Sequence, residues 1–117
     1  MTENRATRIL DAYQALRKVL LTAFAIPIEL PELQGGNFRA GDSRRAAVHA
    51  RTILRDMPAE WHRRDMVDSL ILEWLEAVVM ARLHAGHGEQ WYGDIADQAL
   101  SRFHATLEVL RYEEDQQ

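Results

Sequence analysis

Between Thr2 and Phe24 the apolar residues Ile9, Tyr13, Leu16, Leu20 and Phe24 recur every three or four positions, with Arg8, Asp11, Gln14 and Lys18 in the gaps. That spacing lines one side of an α-helix and predicts a first helix over Thr2–Phe24. The period returns at Ala46, Ala50, Ile53, Leu54 and Met57. Asp42 and Ser43 are good capping residues and Pro58 breaks the run, so a second helix is expected over Ser43–Asp56. Ala96, Leu100, Phe103, Leu107 and Leu110 form another single stripe. They predict a last helix over Asp94–Tyr112, with the charged tail Glu113–Gln117 frayed.

The stretch from Asp65 to His84 is helical in period but apolar on two sides. Val67, Leu70, Ile71, Trp74, Val78 and Ala81 fill one broad face; Leu72, Val79 and Leu83 gather on a second, with Ser69 and Glu76 among them. Gly86 is the expected stop. A helix apolar all round should be buried all round, which a four-helix monomer of this size does not readily provide. Either the segment between the first two helices covers the second face, or another copy of the chain does. A homodimer is expected, with Leu72, Val79 and Leu83 in its seam and Glu76 at the rim near an arginine.

The segment Ile26–Asp42 breaks both periods. Pro27 and Pro31 forbid helix and Gly35-Gly36-Asn37 marks a turn. Ile26, Ile28 and Leu30 alternate with other residues, so an extended Pro-rich arm would lay them on one surface. The arm is read either as a strap over one end of the bundle or as a partner contact. With no strand pattern and no internal repeat, the expectation is an all-α, four-helix bundle-like single domain over the whole 117 residues.

Composition narrows the classes. Hydrophobic residues make up 47% and charged residues 27%, an ordinary globular balance. The absence of cysteine removes disulfides and thiolate metal sites. No apolar run reaches the length of a membrane span. Ala23 and Ala25 are spaced as at a signal-peptide cleavage site, but the apolar run before them is short and Asp11 lies upstream. A cytoplasmic location is expected. The net charge of −4 argues against a general nucleic-acid binder. It is distributed unevenly: Gly36–Arg64 holds seven arginines against three acids, a balance of +4, leaving −8 elsewhere. Arg44, Arg51 and Arg55 share the side of the second helix opposite its apolar stripe, and arginine's planar fork suits carboxylate and phosphate.

Three constellations point to chemistry. Glu73-x-x-Glu76 followed by Asp94-x-x-Asp97 resembles the carboxylate pattern of the all-α MazG-like nucleotide pyrophosphohydrolases. That resemblance covers only Glu73–Asp97 and departs at Asp94, where the family carries Glu. It implies magnesium held against a nucleoside triphosphate. Acids near a helix N-terminus also answer the free amides and the dipole there. Arg82-Leu-His-Ala-Gly-His87 is similar in spacing to the arginine–histidine pair of the HEPN ribonucleases, and the same spacing recurs at Arg44–His49 and Arg55–His62. That resemblance implies a histidine acting on a ribose hydroxyl and an arginine steadying phosphate. His84-x-x-His87 with Glu89 or Asp94 has the donors of a zinc or nickel site, though histidines also suit a helix C-terminus.

No nucleophile motif or phosphate-binding glycine loop is present. No catalytic residue, metal ligand or cofactor is therefore assigned. The expected function is a non-enzymatic regulatory or adaptor protein, pairing with itself and binding an unidentified protein through Ile26, Ile28, Leu30, Arg44, Arg51 and Arg55. An antagonist of a transcription regulator is one version. The alternatives are a nucleic-acid accessory protein using the arginine face, and a magnesium-dependent pyrophosphohydrolase.

Overall fold

Asn4 shows how the first helix begins. Its side-chain Oδ1 accepts the backbone N–H of Thr7 at 2.8 Å, closing the first turn. The helix therefore starts at Arg5, not Thr2. The computed structural model describes residues 4–24, 40–57 and 60–116. All elements among them are helices: α1 (Arg5–Phe24), α2 (Ala40–Asp56), α3 (Trp61–His87) and α4 (Gln90–Asp115). The extended arm lies outside the described residues except at its end, where Ala40–Asp42 already belong to α2. No helix among the described residues is long and apolar enough to cross a membrane.

The other three helices, α2, α3 and α4, are longer than their apolar periods suggested. Trp61 and His62 belong to α3 itself, and Gly86 lies inside it. The stop is Gly88, whose φ of 72° places it in the left-handed region that glycine adopts freely. Its N–H reaches back to the His84 carbonyl at 2.7 Å, a helix-terminating bond. Only Gly88 and Glu89 then separate α3 from α4, so the two run antiparallel, side by side. The pairs His62–Glu113 and Glu76–Arg102 record that register, falling along one helix as they rise along the other.

At 1.5 Å per residue α3 is about 40 Å long, and it packs against all three other helices. The α1 helix also touches α4, whereas α2 touches α3 alone among the helices. Ile9, Tyr13, Leu16 and Leu20 of α1 are buried, as are Ala96, Leu100, Phe103, Leu107 and Leu110 of α4. Trp74 and Phe103 are the largest fully buried side chains, and the Tyr13 ring lies 5.3 Å from that of Trp74. The inner side of α2 is built from the buried Ala46, Ala47, Ala50 and Leu54, mostly small residues.

With three helices packed against it, α3 keeps a fourth side that none of them covers. Leu72 and Val79 remain 42% and 37% exposed, while Leu83 and Glu76 are half-buried. Among the described residues, the two-faced pattern thus reflects one face in the core and one that no helix covers.

Candidate partner-binding surface

The basic side of α2 ends beside the start of α3, and a cluster of arginines shapes the junction. Arg64 donates from Nη1 to the carbonyls of Arg55 and Met57 at 3.3 and 3.4 Å, covering free acceptors at the C-terminal end of α2. Arg51 donates from Nε and Nη2 to the two carboxylate oxygens of Asp68 at 2.7 and 3.3 Å. That fork ties α2 to α3. Arg51, read from the sequence as a partner-binding cation, is therefore an internal tie: its charge is matched by a carboxylate too distant in sequence to be assigned to it in advance.

Between these ties lies a groove of about 210 Å³, lined by Leu54, Arg51, Arg55, Trp61, Asp65 and Asp68 together with Arg64. Trp61 is 67% exposed. Arg55 is exposed and makes no ion pair among the described residues. Further along α2, Arg44 is exposed next to Val48, beside a wider hollow shared with Arg45, His49 and Thr52. Arg44 and Arg55 are thus where the sequence placed them, on the outer side of α2. Ile26, Ile28 and Leu30 lie outside the described residues.

Trp61 was missed by sequence reasoning, which named no aromatic residue beside the arginines. Its signal was present in "EWHRR", a large ring within a polar run at a helix start. Only the fold brings it against Arg55, since Pro58 separates their helical periods.

The carboxylates of the pyrophosphohydrolase-like pattern are divided among different tasks. Asp97 accepts two bonds from Arg5, at 2.9 and 3.1 Å, and a longer one from Arg8 at 3.5 Å. The Arg5 guanidinium holds the Asp97 carboxyl below the usual carboxylate range. Arg5 lies over Gly93, where a Cβ would stand 2.9 Å from its Nη2. Asp94 accepts from Gln90 at 3.2 Å and sits past the first turn of α4, so it does not cap that helix. Glu76 accepts from Arg102 at 2.7 Å. Glu73 accepts from the Thr106 hydroxyl at 3.4 Å through one oxygen, and its other oxygen is buried without a partner among the described residues. Burial pushes the Glu73 carboxyl above its ordinary range.

The histidines diverge as well. His84 Nδ1 lies 3.3 Å from Arg5 Nη1, and His87 packs its ring near Tyr92. Five residues apart on one helix, Arg82 and His87 project in directions about 140° apart. Among the described residues no group of three or more histidine or carboxylate side chains is placed to hold a metal ion.

No protein-family model matches the chain, and no curated protein or solved structure is significantly similar to it.

Proposed function

We propose that this protein is a non-enzymatic regulatory or adaptor protein that works as a homodimer and binds another protein through the outer side of α2 and its junction with α3. The observation that carries this is Trp61, two-thirds exposed on a groove that it lines together with the exposed Arg55. Tryptophan and arginine contribute disproportionately to protein interfaces, because each brings a large contact area together with a polar group. Leu54 at the groove lining offers an apolar contact for one inserted side chain. Arg55 and Arg44 suit carboxylates on the partner, and Asp65 offers an acceptor for a partner N–H. Occlusion of a transcription regulator's surface remains the version we favour for so small a helical chain.

The test is affinity capture from the native cells with paired variants. Wild type should retain a partner that Arg55→Glu with Trp61→Ala loses, both chains being equally helical by circular dichroism. Glu73→Gln with Asp97→Asn should retain it. If the carboxylate variant loses the partner and the groove variant keeps it, this assignment is wrong.

One observation favours a second reading. An exposed Trp among arginines also suits stacking on single-stranded nucleic acid. Fluorescence titration with a labelled oligonucleotide separates the two. Binding that Trp61→Ala abolishes and that weakens steeply with salt supports nucleic acid; no binding at low salt removes it.

A further inference from the structure

The open side of α3 continues onto α4. Glu76 and Arg102 form an ion pair across the groove between the two helices, with both side chains over two-fifths exposed. Apolar residues flank the pair at both ends. Towards the start of α3 stand Leu72 and, on antiparallel α4, Val109, which is 50% exposed. Towards its end stand Val79 and Leu83, with half-buried Ile95 on α4. Each helix therefore presents the same order, apolar–charged–apolar, and the two charges are opposite in sign. Such a face is complementary to itself in one arrangement. A two-fold axis running along the helices lays α3 of one copy on α4 of the other. Leu72 then meets the partner's Val109, Val79 and Leu83 meet the partner's Ile95, and Glu76 meets the partner's Arg102. Every α3–α4 neighbour in the resulting four-helix core is antiparallel, the orientation that offsets helix dipoles. An axis running across the helices would instead set Glu76 against the partner's Glu76.

We infer that this α3–α4 face is the seam of a homodimer with its two-fold axis along the helices, built from a Glu76–Arg102 exchange between apolar ends. The inference rests on the homodimer reading above and adds to it the contribution of α4 and the register. Any charge left unpaired in such a seam is strongly unfavourable, so paired charges select this arrangement over others.

Charge-switched chains test it. Alone, Glu76→Arg and Arg102→Glu should each sediment as monomers, and mixed in equal amounts they should form dimers. That rescue cannot come from the intrachain pair, which both variants lack. A third chain carrying both substitutions keeps an intrachain pair and should dimerise by itself. Mixed with isotope-labelled wild type after unfolding and refolding, it should give almost no mixed dimer by native mass spectrometry. A wild type that is monomeric at roughly 200 µM, well above the micromolar dissociation constants of ordinary stable dimers, overturns the homodimer reading itself. A dimeric wild type with single variants that also stay dimeric overturns only the seam. A preference for the mixed dimer of wild type and doubly switched chain overturns the axis. Leu72→Glu supplies a check that does not depend on charge exchange: it should give a helical monomer, and an unchanged dimer would again count against the seam.

Discussion

Arg5 lies against α4 because residue 93 has no side chain. A Cβ there would meet the end of the Arg5 side chain at 2.9 Å, a group flexible enough to move aside at the expense of its bonds to Asp97. Alanine within a helix gains about 1 kcal/mol over glycine, and a half-exposed ion pair contributes about 0.5–1 kcal/mol. Gly93→Ala should therefore be nearly neutral in wild type and stabilising by about 1 kcal/mol in an Arg5→Ala background, read from urea midpoints. Two carboxylates should respond to pH with opposite signs. Asp97 titrates below its ordinary value of 3.8 because Arg5 hydrogen-bonds its charged form. Its contribution is complete at neutral pH and disappears as pH falls from that value through the lower folded one. Glu73 titrates above its ordinary 4.5, mainly because it is buried. Its proton favours the fold, so wild type loses stability as pH rises from 4.5 through the higher folded value. Glu73→Gln should raise the melting temperature at pH 7, with the gain vanishing below pH 4.5. Asp97→Asn should lower it at pH 7 and converge with wild type in stronger acid. Neither behaviour was legible in the sequence. Asp97 looked like a helix-start acid and Glu73 like half of an ExxE pair, because their partners Arg5 and Thr106 lie 92 and 33 residues away.

At the scale of elements, the apolar stripes of α1 and α4 identified the helices and their buried faces correctly, since a stripe of one period leaves one way to bury it. The ends were less legible. Gly86 looked like the stop of α3, but glycine costs a helix only a little and hydrogen bonding continues through it. Gly88 terminates the helix because its backbone is left-handed, which a sequence of alternating glycines does not reveal. The two glycines should answer alanine in opposite directions. Gly86→Ala enters open space inside the helix and should stabilise by about 0.5–1 kcal/mol. Gly88→Ala must place a Cβ at φ 72° and should destabilise by about 1–2 kcal/mol. Thermal melts of the two variants check this directly. The extra turn at the start of α3 carries Trp61 to the α2 junction.

For the molecule as a whole, the two-sided pattern of α3 correctly signalled a helix with one face in the core and another unoccupied by its own helices. The arginine face was likewise legible as a side of α2, but which arginines are engaged depends on α3, so Arg51 and Arg55 looked alike until Asp68 was placed. Among the four helices α2 packs on α3 alone, and this has a further consequence. Detaching α2 breaks contact with a single helix, built largely on alanines, together with the fork to Asp68 and the Arg64 bonds to the end of α2. Detaching α4 would disrupt contacts with both α1 and α3 and expose Phe103. Amide hydrogens of Ala46–Asp56 should therefore exchange with deuterium together and well before those of Ala96–Leu110. The groove beside Trp61 straddles the very contact that opens in that motion. A partner seated there would clamp α2 shut, slowing exchange along the whole helix, including turns it never touches.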